Sequence, residues 1–200
     1  MNLKNHHIIL ASGSPRRREI LAQHGIDFEI IKPDCSEETE PGLSPDEIVM
    51  TLAKRKAECV LSENPGILDG GNLILASDTV VAFEGEIMGK PADEADAFRM
   101  LSELSGKMNS VYSGVCILSA DPSECLLFAA RTDVYFKKYT DEDINAYIAT
   151  GEPMDKAGAY AIQGGFAPYA DHIEGDFDNV VGLPYDELMR RCKGNSNDQL

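Results

Sequence analysis

The stretch that decides the fold reads Ile8-Ile9-Leu10-Ala11-Ser12-Gly13-Ser14-Pro15-Arg16-Arg17-Arg18-Glu19-Ile20-Leu21. Its apolar beginning predicts a strand, and its small residues predict a turn. Pro15 predicts the first position of a helix, because a missing N–H there has no helical partner to lose. The arginines that follow oppose the positive end of the helix dipole and so cost helix stability. Small residues, free backbone N–H groups and arginine forks at one turn predict a phosphate-binding site. The alternative is a solvated basic turn that begins a surface helix.

The overall composition indicates a globular protein of one domain. Of the 200 residues, 43% are hydrophobic and 26% are charged, as is typical of a soluble globular protein. We predict a single domain over residues 1–200, with a polar tail at about 194–200. The N-terminus lacks a secretory pattern and no apolar run reaches the length of a membrane span, so we expect a cytoplasmic protein.

The net charge and the cysteine spacing exclude several function classes. A net charge of −16 argues against binding to nucleic acid or to an anionic membrane. Any anionic ligand must therefore be held by local cations or by a metal. The five cysteines lack Cys-x-x-Cys spacing, which indicates reduced thiols rather than a disulfide frame or a zinc site.

An acidic loop and an unusual lysine follow the first helix. Residues 33–43 form a polar, acidic loop, which is either simply solvated or supplies one acid to a metal or water at the phosphate site. Ser44-Pro45-Asp46-Glu47 is a capping box, so a long helix starts there. Lys56 lies within the apolar stripe of that helix. It either extends its ammonium group to the edge or points at a bound anion.

Asp78 follows a second apolar strand. Residues 72–77 predict a buried strand that ends in Asp78 and Thr79. Val80 to Phe83 continues it, and Glu84-Gly85 turns into a short return strand through Ile87 and Met88. A carboxylate at such a strand end lies where the ligands of α/β sheets bind, although an Asx turn is the structural alternative. Lys90, in a restricted loop before Pro91, adds another basic residue.

The remaining elements follow from periodicity, capping residues and β-branched content. They are a strand at 28–32, a helix from Asp93 to about 104–106, an antiparallel strand pair at 109–118 and 126–136, a helix at 141–149 capped by Thr140, a strand at 166–173, a loop at 175–184 and a helix at 185–191. Residues 152–165 are rich in small residues, which suits a short helix or turn on which another group packs closely.

Eight short motifs follow one another along the chain. They are Ser12-Gly13-Ser14-Pro15-Arg16-Arg17, Leu52-Ala53-Lys54-Arg55-Lys56-Ala57, Ser77-Asp78-Thr79-Val80-Val81, Gly89-Lys90-Pro91, Leu104-Ser105-Gly106, Glu152-Pro153-Met154-Asp155-Lys156-Ala157-Gly158-Ala159-Tyr160, Ile162-Gln163-Gly164 and Val180-Val181-Gly182-Leu183-Pro184. Together they resemble the Maf family of nucleoside-triphosphate pyrophosphatases, which is related in fold to the inosine-triphosphate pyrophosphatases. The resemblance implies an elongated mixed α/β fold with flanking helices, a cleft between two lobes and assembly as a homodimer.

The same resemblance implies the reaction and the residues that perform it. A nucleoside triphosphate is hydrolysed to the monophosphate and pyrophosphate with a divalent cation, for which oxygen ligands favour Mg²⁺ or Mn²⁺. Asp78 orients or deprotonates the attacking water and also binds the metal, with Glu37 as second ligand; Asp34 and Glu38 remain alternatives to Glu37. The phosphate-binding residues implied are Ser12, Arg17, Lys56 and Lys90.

Three further positions concern the base. Arg16, Thr79 and Gln163 match the subgroup of the family that acts on dTTP and UTP. A pyrimidine ring offers carbonyl acceptors and an imide N–H, which these side chains can match. We therefore expect dTTP and UTP as substrates, with modified pyrimidine nucleotides as further candidates and CTP disfavoured. The alternative function is a nucleotide-binding regulator of cell division and septum formation that needs no catalysis.

Overall fold

Residues 8–21 fold as a strand, a turn and a helix, and a mixed sheet extends outward from them. The computed structural model describes residues 2–194. Within these, the strands are β1 (Ile8–Ala11), β2 (Phe28–Ile30), β3 (Leu73–Phe83), β4 (Glu86–Met88), β5 (Met108–Leu118), β6 (Leu126–Phe136) and β7 (Ala170–Glu174). The α-helices are α1 (Pro15–Gln23), α2 (Pro45–Glu63), α3 (Glu94–Leu104), α4 (Asp141–Ile148), α5 (Phe177–Val181) and α6 (Tyr185–Gly194). The predicted polar tail lies outside the described residues beyond Gly194.

The strands form one sheet in the order β2-β1-β3-β5-β6-β7, and β4 pairs with the far part of β3. β1 is parallel to both β2 and β3, whereas β3, β5, β6 and β7 are antiparallel neighbours. The predicted class, a mixed α/β sheet with flanking helices, is confirmed, and β5 pairs with β6 as predicted.

Helices cover both faces of this sheet. On one face, Ile9 of β1 and Ile74 of β3 pack against Ala53 and Ala57 of α2. On the other face, Leu75 belongs to a larger core to which α1, α3, α4 and α6 contribute. Because side chains alternate between the faces of a strand, neighbouring residues of β3 serve opposite layers. No helix within residues 2–194 is both long and apolar enough to cross a membrane.

Local capping signals predict the helix starts well. Helix α2 begins at its capping box, where the N–H of Ser44 donates to Glu47 Oε2 at 2.9 Å. Helix α3 begins after Asp93, whose Oδ1 accepts the N–H of Asp96 at 2.9 Å. These bonds join residues three apart in sequence, so tertiary contacts are not needed to predict them.

Two predictions near the C-terminus are wrong. The predicted strand at 166–173 begins with a 3₁₀ turn, Ala167–Tyr169, and becomes β7 only after it. The predicted loop at 175–184 contains α5, which starts where Asp176 Oδ1 accepts the N–H of Asp178 at 2.8 Å. The 3₁₀ turn has three residues and α5 has five, which is shorter than the window of about 11–18 residues in which a helical period can be read.

Candidate active site

An open segment of β3 forms the base of the site. β1 pairs with β3 as far as Ala11 and Ala76, and β4 begins to pair with it at Val81. Between these points, the edge of β3 opposite β5 has no strand partner in the described part of the chain. Because side chains alternate, Asp78 lies on the α2 face of the sheet and Thr79 on the opposite face. A ligand at this edge can therefore meet side chains from both faces.

Asp78 lies within β3, so its predicted place at a strand end is wrong, whereas the predicted continuation through Val80 to Phe83 and the return strand at Ile87 and Met88 are confirmed. β3 continues because β5 pairs with it from Ile74 to Ala82 and β4 joins at Val81. Asp78 nevertheless follows the last β1–β3 pair by two residues. It thus lies at the carboxyl edge of the parallel part of the sheet, which is where ligands of α/β sheets bind.

Lys56 joins two carboxylates at this edge. Its Nζ lies 2.5 Å from Asp78 Oδ1 and 2.8 Å from Glu37 Oε1. The side chains of Lys56 and Asp78 are 11% and 12% exposed, whereas that of Glu37 is 69% exposed. Lys56 therefore does not extend its ammonium group to solvent but bonds to two carboxylates of the protein. Its contact with a bound anion stays a prediction.

Helix α2 reaches Asp78 because β5 has a glycine where the helix crosses it. Gly114 is the sheet partner of Asp78, and a Cβ at Gly114 would lie 2.1 Å from Val49 O. A larger residue would push α2, and Lys56 with it, away from the sheet. Sequence reasoning missed Gly114, although an isolated glycine inside a strand is a signal of close backbone approach.

The main chain of the acidic loop is held against α2. Arg55 Nη1 donates to the carbonyl oxygens of Ser36 at 2.8 Å and Glu38 at 2.5 Å. Between these two anchors, the side chain of Glu37 reaches Lys56, whose hydrogen bond and charge lower the pKa of Glu37. Of the three acids that the sequence leaves open, Glu37 is the one whose carboxylate contacts Lys56.

Arg17 is fixed by hydrogen bonds within the protein. Its Nε donates to Gly182 O at 2.8 Å, and its terminal nitrogens donate to Ser12 Oγ and Thr79 Oγ1, each at 3.2 Å. Burial lowers the pKa of the Arg17 guanidinium, and the charge of Asp78 acts in the opposite direction. The group stays cationic, because arginine is not deprotonated in proteins. These bonds use three of its five N–H groups and leave two for a ligand.

Thr79 is tied to helix α5. Its Oγ1 lies 2.8 Å from Ser113 Oγ on β5, and Ser113 Oγ lies 3.1 Å from Asn179 O on α5. Arg17 is bound to the same region through Gly182 O. Residues 179–182 therefore support the side chains of Arg17 and Thr79 from behind. Sequence reasoning did not single out Ser113, and no local signal distinguishes it from other strand serines.

A cleft of about 960 Å³ brings the predicted residues together. Its lining includes every one of them: Ser12, Arg16, Arg17, Glu37, Lys56, Asp78, Thr79, Lys90 and Gln163. Six basic side chains line the cleft against four acidic ones, so its local charge is positive although the chain carries −16. The cleft is thus suited to a polyanionic ligand that the overall charge would repel.

Gln163 is exposed on a turn that Glu152 holds. Glu152 Oε2 accepts the N–H of Gly165 at 2.8 Å, and a Cβ at Gly164 would lie 2.0 Å from Glu152 Oε1. The paired glycines therefore allow a carboxylate to lie directly under the turn. The sequence indicates close packing on this segment, but it does not identify Glu152 as the group that packs there.

The carboxylates fit a metal that binds together with a substrate. Within residues 2–194, no cluster of three or more His, Cys, Asp and Glu side chains is placed to hold a metal ion. Asp78 and Glu37 are both bonded to Lys56 Nζ, so their oxygens lie near each other. One or two carboxylates, completed by waters and substrate phosphates, form the ligand set that Mg²⁺ usually takes.

The chain is similar to several known proteins. The family model described as Maf-like protein matches residues 7–194. A Bacillus cereus protein named dTTP/UTP pyrophosphatase is 47% identical over 93% of this chain and 94% of its own. A Geotalea uraniireducens protein of the same name is 50% identical over 91% of each chain. The solved structure of the Staphylococcus aureus Ham1 protein aligns with a TM-score of 0.42 and 17% identity, over 65% of this chain and 71% of that chain.

Proposed function

The chain belongs to the Maf family, and from that membership we propose that it hydrolyses dTTP and UTP to the monophosphate and pyrophosphate. The observation that carries the proposal is the arrangement at the open edge of β3, where Lys56 bonds to Asp78 and Arg17 is held beside them. The name shared by the two relatives supports the choice of dTTP and UTP. Modified pyrimidine nucleotides are further candidate substrates.

The phosphates bind among Ser12, Arg17, Lys56 and Lys90. Phosphoryl transfer is catalysed mainly by positioning and by neutralising charge on the phosphate oxygens. Arg17 meets both needs, because its protein hydrogen bonds fix the guanidinium before the substrate arrives. Ser12 lies at the turn before α1. Its N–H donates to Leu10 O at 2.9 Å and its Oγ accepts from Ser14 and Arg17, so its hydroxyl proton is the group that it offers to an anion.

Asp78 orients or deprotonates the attacking water. Lys56 contacts Oδ1 of this carboxylate, which leaves Oδ2 to accept a hydrogen bond from water. The same ammonium group neutralises phosphate charge when the substrate binds, so Lys56 acts on both reactants. A positioned carboxylate base of this kind contributes about 100-fold or more to turnover.

Asp78 and Glu37 would hold the divalent cation, Mg²⁺ or Mn²⁺. When bound, the ion neutralises phosphate charge and orients the oxygens of the substrate. Glu37 suits this role because its carboxylate is ionised at neutral pH, and contact with Lys56 lowers its pKa further.

Arg16, Thr79 and Gln163 read the base. They lie along the same cleft as the phosphate-binding residues, and a neutral amide and a hydroxyl can match the carbonyl and imide groups of uracil and thymine.

Membership of the family also supports the proposal of a homodimer that acts in the cytoplasm. Sedimentation velocity of the purified protein tests the dimer.

Pyrophosphate release from a panel of nucleoside triphosphates, measured with and without EDTA, tests the proposal. We expect dTTP and UTP to be cleaved best, CTP poorly, and cleavage to stop with EDTA. Asp78→Asn is the control for contaminating activity. Binding of nucleotide without pyrophosphate release would favour the alternative of a regulator of cell division.

A further inference from the structure

The carbonyl of Asn179 needs a donor from outside its own helix. The N–H four residues on, that of Leu183, bonds instead to Asp178 O at 2.9 Å. The next residue, Pro184, has no N–H to donate. Ser113 Oγ, 3.1 Å from Asn179 O, is the donor that the described structure places there. Because an unpaired buried carbonyl is destabilising, the single proton of Ser113 is committed to Asn179.

The hydroxyl of Thr79 therefore gives its own proton to Ser113. Their oxygens lie 2.8 Å apart, a distance that fits donation in either direction. With the proton of Ser113 on Asn179, Thr79 has to be the donor, because a serine hydroxyl carries one proton. The other acceptor near Thr79 is Gly182 O, which is 3.4 Å away and already accepts two shorter hydrogen bonds, at 2.8 and 3.1 Å.

Thr79 then faces the cleft as a hydrogen-bond acceptor. Its oxygen has two lone pairs, of which Arg17 Nη2 uses one at 3.2 Å. The other is left for a ligand in the cleft that Thr79 lines. We infer that Ser113 is a positioning residue for substrate selection: it holds the proton of Thr79 inside the protein and so makes Thr79 an acceptor toward the base.

This inference rests on the proposed function and adds a mechanism of selection to it. Uracil and thymine carry an N–H at ring position 3, whereas cytosine has a lone pair on that nitrogen. An acceptor at Thr79 bonds to the first group and repels the second. Ser113 thereby excludes CTP and dCTP without contacting them. The side chain is fully buried, so a direct contact with substrate is ruled out.

The test is the selectivity of Ser113→Ala, expressed as kcat/KM for UTP divided by kcat/KM for CTP. Once Ser113 is absent, the Thr79 proton can turn toward the cleft and donate to cytosine. We expect the ratio to fall about tenfold, because a mismatched polar group is a strong discriminator. Ser113→Thr keeps an oxygen at this position and should keep the ratio.

A matched control is Ser110→Ala on the same strand. Ser110 Oγ donates to Asp133 Oδ1 at 2.6 Å, so a comparable hydroxyl bond is lost away from the cleft. The ratio should not change in this variant. If Ser113→Ala lowers the rates for UTP and CTP by the same factor, Ser113 has only a structural role and the inference is overturned.

The action through Thr79 is tested with Thr79→Val, which keeps the shape and removes the hydroxyl. This variant should lower the ratio, Thr79→Ser should not, and adding Ser113→Ala to Thr79→Val should change the ratio no further. A further change overturns the inference. Should Ser113→Ala fail to fold, an unchanged ratio in Thr79→Val overturns it as well. A wild-type protein that releases no pyrophosphate overturns the proposed function instead.

Discussion

Replacing Lys56 with methionine removes one charge and keeps most of the side-chain length. We expect Lys56→Met to destabilise the protein by about 3 kcal/mol. Removing one partner of a buried ion pair typically costs about 3–5 kcal/mol, because the other charge stays buried without compensation. Here the partner left behind is Asp78, 12% exposed, and the nearby charge of Arg17 keeps the loss at the lower end. For a chain of this size, about 3 kcal/mol lowers the Tm by roughly 6–12 °C.

Two comparisons separate the ion pair from other effects of the substitution. Lys54→Met is the matched control, because Lys54 lies on the same helix, is 53% exposed and pairs with Glu58 at 3.6 Å. It should change stability by less than about 0.5 kcal/mol. Combining Lys56→Met with Asp78→Asn leaves no unpaired charge, so the double variant should regain about 2 kcal/mol relative to the sum of the single effects.

Urea denaturation followed by circular dichroism at pH 7 measures the free energy of unfolding of four variants: Lys56→Met, Lys54→Met, Asp78→Asn and the double variant. A Lys56→Met variant as stable as Lys54→Met would refute the reasoning, as would a double variant with no recovery. Pyrophosphate release is measured in parallel. We expect Lys56→Met to lose more activity than its lower stability explains, because the same ammonium group binds the phosphates.

Other predictions address single residues. Asp78→Asn should stay folded and lower kcat for dTTP by about 100-fold or more; pyrophosphate release and thermal melts check this, and near-normal activity would refute its assigned role. Gln163→Glu should reduce dTTP and UTP hydrolysis far more than stability, and an unchanged nucleotide preference in a substrate panel would remove Gln163 from base reading. Gly114→Ala should destabilise the protein by about 3 kcal/mol or more in urea denaturation, since overpacking here meets backbone 2.1 Å away. The pKa of Glu37 lies below 4.5 because of Lys56, so the stability from this contact is present above pH 4.5 and is lost as pH falls through the lowered pKa. A carbon-13 NMR titration should show that pKa rising in Lys56→Met, and no rise would contradict the assigned cause.

Much of the fold could be predicted from the sequence because its signals are local. The strand–turn–helix at residues 8–21, the capping box at Ser44 and the cap at Asp93 each depend on residues a few positions apart. The long strands β5 and β6 contain enough residues to show their pattern. Helix α5 was missed because five residues show no period, and its place depends on Asn179, which bonds to the sheet through Val111 O at 3.0 Å.

The candidate site, like the fold, was predicted in part from the sequence and decided in part by the tertiary structure. The sequence identified the residue types and, through family motifs, the positions that line the cleft. It left three acids open in the loop at 33–43, and the tertiary fold brought Glu37 to Lys56. It placed Asp78 at a strand end, because the point at which a neighbouring strand stops pairing cannot be read from the strand itself.

What the sequence by itself determined is the set of local elements and the chemical groups they carry. Which groups meet was decided by the tertiary structure, since Lys56 and Asp78 are 22 residues apart and Arg17 and Gly182 are 165 apart. The physical reason is that hydrogen bonds and ion pairs act over a few ångströms in space. Sequence patterns report separation along the chain, so the open edge of β3, the close approach at Gly114 and the hydroxyl pair of Thr79 and Ser113 exist only in the folded protein.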